Sequence, residues 1–584
     1  MENNEGENRK QYFLITTALR DFWNQSSENI IILGEWCKVN KSKYKIEKRY
    51  RIEPFIWKDK IKQEKAILYC DTIYERVIDE LVVILNSYSE TDYERPYWEF
   101  IIGPWLYSYI QNVYDRYINI RAVKEKYKNL ETLLLNKNNY KYSVVMSDCN
   151  YNDDFFNLQL YSMIIEGFDI KKHYQEYGGI NNSYAELKTE VDTRRDFLYR
   201  TSALLNKVFS KKKVIVTDPY IKYHPVAARI SILLKSKFAI IFNDFSYQIN
   251  IKKKIEKQKR RDIFWQYKDQ DYFVTLLFQT FTYNLPAIYL ELHNEYRKNI
   301  DLHKIPVVTH IFSSVALFTN DTYKFYVAKH RKNIKVYYGQ HGGNFGIDKY
   351  HMHEVVERKL SDIFFTYGWK GKNTNFLPNQ RTTRRVFGGK KILLIMTAPS
   401  RYFVMFQYLS TSSRAPGSLK GTINFMREIQ CQENIIVRDH PGMKTNGWNE
   451  KEIILNSLPL IQFDSEENYY DQIAKSKIVV FNHLHTGYLE TLSENIPTVI
   501  FIQWADYEFR EDAKHLINQL LDVNILFKSH KDAAEHINTI YHNVDQWWMS
   551  KDVQTARIQF CNQYFITSKH WAKDWCRAIL ANTN

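Results

Sequence analysis

The sequence predicts an α/β protein whose second half forms a doubly wound parallel sheet, and three observations support this fold class. Short apolar segments alternate with stretches of helical periodicity along the 584 residues. Hydrophobic residues make up 44% of the chain and charged residues 25%, which is typical of a folded globular protein. A polar, basic break with two glycines, at 373–390, separates an irregular first part from a regular second part.

The first part, 1–375, is predicted to be an α/β domain enlarged by extra helices. Two long helices are expected at 64–87 and 97–126, because apolar residues recur there at helical spacing. Short apolar runs predict strands at 12–17, 29–36, 142–147, 214–218, 307–312 and 336–340.

The second part, 390–550, alternates more regularly between strands and helices. Strands are predicted at 391–397, 434–439, 460–463, 477–482 and 497–502, with helices at 417–430, 449–456, 469–476 and 487–495. This alternation predicts a parallel sheet whose ligands bind beyond the carboxyl ends of the strands. The tail, 551–584, is predicted to be a helix that packs back toward the N-terminal domain.

Composition limits the function classes. The formal net charge of +15 favours anionic partners: nucleic acid, an anionic membrane face, or phosphorylated and acidic sugars. Nucleic acid is disfavoured because the basic residues are spread along the chain and no reader motif appears. The six scattered cysteines indicate reduced thiols. The first residues are polar, without the apolar core typical of a signal peptide, and no apolar run reaches the length needed to span a bilayer. We expect a cytoplasmic protein that could contact the inner membrane peripherally.

The stretch Asn434 to Gly442 (NIIVRDHPG) follows a predicted strand with residues suited to a phosphate. Arg438 offers a permanently charged planar fork, and His440 can donate a hydrogen bond or a proton. Pro441 fixes the backbone directly afterwards, although the same proline is compatible with an ordinary surface loop.

A second strand runs into a helix start at Asn482 to Glu490. His485, Thr486 and Gly487 place a hydroxyl, free amides and an open backbone at the helix N-terminus, which predicts an anion-binding site. Glu490 lies one turn into the helix, where it could bind the hydroxyls of a ribose. Capping by Thr486 alone would explain the threonine but not the neighbouring histidines.

A third strand ends in Gln340, His341, Gly342 and Gly343, where the glycines allow close approach of a ligand to the backbone. Glu354 follows on a predicted helix. The nearby histidines lack the two-ligand spacing of a zinc helix, so no metal is expected.

Weaker candidates complete the predicted site. Ser400 and Arg401 follow the first strand of the second domain and could contact a nucleotide or an acceptor. A transferase needs a carboxylate as base or nucleophile, and Glu35 and Asp321 are the candidates.

Four segments of the chain resemble a known family: LGEWC (33–37), GPWL (103–106), GQHGGNFG (339–346) with a following glutamate, and TGYLETLSENIPTVIF (486–501). The family comprises transferases encoded among bacterial O-antigen and surface-polysaccharide genes. More distantly, the Arg-Asp-His-Pro stretch and the later His-Thr-Gly resemble bacterial sialyltransferases and Kdo transferases. That resemblance implies a GT-B fold, with two Rossmann-like domains facing a cleft.

The resemblance also implies roles for individual residues. Arg438, His440 and Pro441 would hold the phosphate and cytidine of a CMP-activated sugar, Thr486 and Gly487 the phosphate, and Glu490 the ribose. Sialyltransferases typically carry paired hydroxyl residues where this chain has His-Thr-Gly. The Gln-His-Gly-Gly block is similar to one in retaining β-Kdo transferases, which implies a catalytic His341 and an attacking aspartate, for which Asp321 is the candidate.

The expected function is therefore transfer of a 3-deoxy-2-ulosonic acid (Kdo, sialic or pseudaminic type) from CMP to a surface glycan or glycoprotein. No cofactor or metal is expected, because a leaving nucleoside monophosphate carries one phosphate whose charge protein groups can offset. Retention or inversion stays open. The alternative is a polyol-phosphate transferase of the teichoic-acid type that uses a CDP-alcohol.

Overall fold

The computed structural model describes residues 10–24, 26–38, 50–177, 184–189, 214–221, 224–303, 305–306, 308–382, 384–464 and 467–581. The start of the strand predicted at 307–312, the polar residues 1–9 and the last residues 582–584 lie outside this part. Within it, three all-parallel sheets organise the chain.

The N-terminal sheet has five strands, and the sequence alone did not separate it from the next sheet. Its strands, in spatial order, are Tyr50–Ile52, Ile30–Ile32, Tyr12–Ile15, Leu130–Leu135 and Lys171–Gln175. The two edge strands are largely exposed and carry no apolar run, which is why they escaped prediction. Residues 1–375 thus contain two parallel sheets rather than one.

The strand predicted at 142–147 is absent. Ser143 instead donates its amide to Tyr283 O (2.9 Å) and accepts at its own carbonyl from Ala287 N (2.9 Å). The apolar residues of this segment pack against a helix end instead of joining a sheet.

Two long helices form the predicted enlargement of the N-terminal part. Lys60–Ser89 begins at Asp59, whose carboxylate caps the amides of Ile61 and Lys62. Arg95–Lys126 is buried on almost every side, so it lacks an amphipathic pattern. It packs against six other helices of the first part.

The middle and C-terminal sheets each have six strands and form two Rossmann-like domains that face each other across a cleft. This confirms the α/β fold of the GT-B type. The middle sheet has the spatial order Thr374–Phe376, Ile363–Thr366, Lys335–Gly339, His310–Ser313, Val214–Thr217 and Ile240–Phe242. The C-terminal sheet has the order Gln462–Phe463, Ile435–Arg438, Ile392–Ile395, Ile478–Phe481, Thr498–Phe501 and Leu526–Phe527.

The remaining helices cover the faces of these sheets. In the first part they are Asp154–Glu166, Pro225–Lys235, Lys257–Arg260, Tyr272–Asn284, His293–Leu302, Ala316–Thr319, Asp321–His330 and Met352–Leu360. In the second part they are Ala415–Glu428, Glu450–Ser457, Tyr469–Lys475, Thr486–Ser493, Glu511–Asp522, His530–Ile540, Val544–Trp548, Lys551–Tyr564 and Trp571–Leu580.

The last helices cross from the C-terminal sheet back to the middle sheet. Lys551–Tyr564 packs on Thr486–Ser493, and Trp571–Leu580 packs on Pro225–Lys235. Trp575 donates its indole N–H to Pro378 O (2.8 Å). The short strand Thr567–Ser568 pairs with Asn379–Gln380. The predicted boundary at 375 falls inside the edge strand Thr374–Phe376, and the division into domains stays a prediction.

None of the helices in the described part of the chain is long and apolar enough to cross a bilayer.

Candidate active site

The loops at the strand ends of the C-terminal sheet form one wall of a cavity of about 990 Å³. Strand order reverses there between Ile392–Ile395 and Ile478–Phe481, which are neighbours in the sheet. Ligands of doubly wound sheets bind at such reversals. The loop after Lys335–Gly339 of the middle sheet forms the facing wall, and the turn Glu35–Lys38 of the N-terminal part adds a third side.

Ten of the residues proposed from the sequence line this cavity. They are Glu35, His341, Gly342, Gly343, Ser400, His440, His485, Thr486, Gly487 and Glu490. The motifs at 340–343 and 485–490, about 145 positions apart, therefore meet at one place.

The two facing walls touch at Gly343. A Cβ atom built on this glycine would lie against the carbonyl oxygen of His485, 2.7 Å from its carbonyl carbon and 3.0 Å from the amide nitrogen of Thr486. All of these are backbone atoms at the start of helix Thr486–Ser493, so they cannot rotate away. Gly343 is what allows the middle domain to approach the helix start.

Replacing Gly343 with alanine is expected to push the two walls apart and to lower turnover at least tenfold, because small misplacements of reacting groups are costly. Steady-state kinetics and small-angle scattering would measure the loss and the opening. Gly417→Ala is the matched control, since a Cβ there has nothing within 4 Å. Equal activity of Gly343→Ala and the control would contradict the assignment.

The helix start opposite Gly343 is ordered by its surroundings. His485 is the N-cap residue, and its Nδ1 lies 3.2 Å from the Thr397 hydroxyl. A Cβ on Gly487 would lie 2.7 Å from the Phe481 ring, so this position also requires glycine. Glu490, one turn later, accepts a hydrogen bond from the Tyr469 hydroxyl (3.4 Å). The helix amides therefore face the cavity beside an oriented carboxylate.

His341 is paired with a buried glutamate that the sequence analysis did not select. Its Nε2 lies 2.9 Å from Oε1 of Glu357, a side chain that is 0% exposed. Burial raises the pKa of Glu357, and the positive charge available on His341 opposes that rise. A carboxylate bonded to one ring nitrogen fixes the tautomer and leaves the other nitrogen as a proton acceptor. The pair has the arrangement of a general base with its positioning residue.

The signal for Glu357 was present in the sequence. His353 and Glu357 are four positions apart in helix Met352–Leu360, so they share the helix face toward His341. Glu354, which the sequence analysis did select, does not line the cavity. It is buried between Arg358 and Arg510, each at 3.0 Å, and also accepts from Gly346 N.

Six histidines line the cavity: His341, His351, His353, His440, His483 and His485. Burial, together with the nearby His341, lowers the pKa of His353 to about 3. Burial and neighbouring imidazoles also hold the pKa values of His351 and His483 well below the usual range. These three side chains are therefore neutral at pH 7.

Permanent positive charge is scarce in this cavity. Among the described residues that line it, Lys38 is the one lysine and there is no arginine. Lys38 forms an ion pair with Glu35 at 3.0 Å. An anionic ligand would depend on helix amides and histidine N–H groups.

Neither predicted arginine lines the cavity. Arg438 ends its strand and donates to Gln472 Oε1 and Glu467 O, both at 2.9 Å, so it ties the strand to helix Tyr469–Lys475. Arg401 forms an ion pair with Asp154 at 2.6 Å and connects its loop to the N-terminal part.

Pro441 also stays outside the cavity lining; it is the first residue of the short 3-10 helix Pro441–Lys444. His440 caps this turn, since its Nδ1 accepts from Gly442 N at 3.0 Å. The proline therefore shapes the turn that presents His440.

Two candidates of the first part have other partners. Asp321 begins helix Asp321–His330, pairs with the buried Lys324 at 2.7 Å and accepts from the Tyr289 hydroxyl, so it does not reach the cavity. Gln340 donates to Gly342 O (2.7 Å) and accepts from Trp369 Nε1 (2.8 Å). Its amide shapes the glycine loop instead of facing the main cavity.

Within the described part of the chain, no group of three or more His, Cys, Asp or Glu side chains is arranged to hold a metal ion. Independence from metal stays a prediction.

The two Rossmann-like domains on either side of the cleft give the chain the GT-B architecture. The chain belongs to the LIC12162 family of transferases, whose family model matches residues 12–579. No curated protein matches the chain significantly.

Solved structures with similar folds are distant. UDP-GlcNAc 2-epimerase of Methanocaldococcus jannaschii is 12% identical over 63% of this chain and 99% of its own, with a TM-score of 0.33. MurG of Acinetobacter baumannii is 8% identical over 63% of this chain and 99% of its own, with a TM-score of 0.32. The wall teichoic acid polymerase TagF is 10% identical over 67% of this chain and 97% of its own, with a TM-score of 0.31. Similarity at this level carries no argument about activity.

Proposed function

We propose that this transferase is a glycosyltransferase that moves a 3-deoxy-2-ulosonic acid from a CMP donor to a bacterial surface glycan or glycoprotein. The observation that carries the proposal is the meeting of His341 and Gly343 with the start of helix Thr486–Ser493 in one cavity. In this proposal His341 acts as the base, the helix start holds the phosphate and Glu490 binds the ribose.

The charge of the cavity supports a nucleoside monophosphate as leaving group. A diphosphate would bring more negative charge than paired Lys38 and neutral histidines can offset. One phosphate matches the helix amides and the imidazole N–H groups. His351, whose buried Nδ1 has no hydrogen-bond partner in the described structure, could donate to the carboxylate of the sugar.

The proposed transfer is a single displacement. The acceptor hydroxyl gives its proton to His341 Nδ1 while its oxygen forms a bond to the anomeric carbon. The bond from that carbon to the phosphate oxygen breaks, and the electron pair leaves with CMP. Glu357 holds the imidazole and stabilises its protonated form. Such a displacement inverts the anomeric configuration.

Thermal-shift measurements with CMP, CDP, UDP and GDP test the donor class. CMP is expected to stabilise the protein selectively, by about 2.7 kcal/mol at a concentration one hundred times its Kd. His440→Ala should abolish this response, whereas His542→Ala, an exposed histidine outside the cavity, should keep it.

An equal response to every nucleotide would remove the basis for a CMP donor. Turnover of CDP-glycerol or CDP-ribitol, with no turnover of a CMP-sugar, would favour the polyol-phosphate transferase instead.

A further inference from the structure

Residues 446–450 contribute Trp448, Asn449 and Glu450 to the lining of the main cavity and take no part in the proposed transfer step. Gly447 and Asn449 have positive φ angles, 82° and 56°, so the backbone folds sharply on both sides of Trp448. Helix Glu450–Ser457 begins directly afterwards. As a result, both Trp448 and Glu450 line the cavity.

Glu450 has one satisfied and one unsatisfied oxygen. Only 3% of the surface of Glu450 is exposed to solvent. Its Oε1 accepts from Asn446 Nδ2 at 2.6 Å, but its Oε2 is buried and has no hydrogen-bond partner in the described structure. Burial raises the pKa of Glu450, and the bond from Asn446 counters that rise. An unpaired buried acceptor is unfavourable, and a ligand N–H that reached Oε2 would satisfy it.

Trp448 supplies an unpaired hydrogen-bond donor, in contrast to the unpaired acceptor of Glu450. Its indole N–H is buried and has no acceptor in the described structure. The hydroxyl of Ser400, on the neighbouring loop, is buried and unpaired as well. An acceptor and a donor two residues apart, beside an aromatic ring, are complementary to the polar edge of a planar base.

The loop 397–399 connects residues 446–450 to the helix start proposed for the phosphate. Thr397 lies 3.2 Å from His485 Nδ1, and Pro399 O accepts from Asn446 Nδ2 at 3.3 Å. Thr397 and Pro399 are two positions apart, and two residues of extended chain span at most about 7 Å. The helix start at His485 and the segment 446–450 are therefore close enough to bind one nucleotide.

We propose that residues 446–450 form a nucleobase subsite in which Glu450 Oε2 accepts the exocyclic amino group of cytosine and Trp448 Nε1 donates to the same base. This inference rests on the proposed function and names the residue that selects the base. Carboxylates pair with the amino group of cytosine in protein recognition of bases. Uracil would place a carbonyl oxygen against the carboxylate, and guanine would need both carboxylate oxygens for its two donors.

Titration calorimetry of the full-length protein with CMP, UMP and AMP tests the subsite. The wild type is expected to bind CMP at least tenfold more tightly than UMP. Glu450→Gln should weaken CMP binding about tenfold or more and leave UMP unchanged or tighter, because the carboxamide can donate to the uracil carbonyl. Glu428→Gln, an exposed glutamate of the same domain outside the cavity, is the control.

The outcomes separate this inference from the proposed function. Selective CMP binding that survives unchanged in Glu450→Gln would overturn the subsite and leave the CMP donor standing. No preference for CMP in the wild type would overturn the donor, and the subsite with it. Equal CMP and AMP affinity would overturn selection of cytosine. If Glu450→Gln fails to fold, Trp448→Phe should still weaken CMP several-fold, and unchanged affinity there would count against the subsite.

Discussion

Replacement of His341 by asparagine is expected to lower kcat by about 10²- to 10⁴-fold, because the asparagine amide cannot take the acceptor proton. CMP affinity should change little, since the nucleotide is proposed to bind mainly to the C-terminal domain. The measurement is CMP release from the donor that the thermal-shift screen selects, with CMP binding followed separately by calorimetry.

Glu357→Gln tests the positioning role in the same assay. We expect kcat to fall at least tenfold, because a neutral carboxamide cannot offset the charge that the imidazole gains when it takes the acceptor proton. Glu428→Gln, which makes the same change at an exposed glutamate outside the cavity, is the control. Wild-type kcat in His341→Asn would rule out His341 as the base.

Arg260→Met is expected to cause the largest loss of stability, about 3–5 kcal/mol, because it leaves the Glu291 carboxylate buried without its partner. Both side chains are 0% exposed, and the two hydrogen bonds between them measure 2.6 and 2.7 Å. Calorimetric Tm and urea unfolding would measure the loss. The double variant Arg260→Met/Glu291→Met is the control and should recover much of it, since well-packed apolar side chains can replace such a pair.

The same pair predicts a pH dependence. Burial by itself would raise the pKa of Glu291, but the charge and hydrogen bonds of Arg260 outweigh burial and hold the pKa below its usual value. The stabilisation is therefore fully present above the unfolded-state pKa of about 4.3 and is lost as the pH falls through the folded-state pKa. If the Arg260→Met variant were as stable as the wild type at pH 7, this account of the Arg260–Glu291 pair would be contradicted.

Local sequence patterns predicted the second half of the fold well. The strands at Ile392–Ile395, Ile435–Arg438, Ile478–Phe481 and Thr498–Phe501 all lie within their predicted segments, because buried parallel strands appear as short apolar runs between helices. Strand Leu526–Phe527 has two residues and carries no comparable pattern.

The candidates that the structure brings together are those that follow closely on a strand end. His341, Gly343 and Thr486 meet in the cavity for this reason. Arg438 and Arg401 have the right chemistry for a phosphate, but Arg438 binds Glu467 O and Gln472, Arg401 binds Asp154, and neither lines the cavity.

The sequence by itself determined the α/β class, the C-terminal sheet and the strand-end motifs, because these depend on local periodicity and on loop residues next to each strand. Only the tertiary structure revealed the third sheet, the His341–Glu357 pair and the unpaired atoms of Trp448 and Glu450. Those features depend on which side chains satisfy one another across distant segments. Burial and hydrogen-bond pairing are properties of the packed chain, and no local pattern contains them.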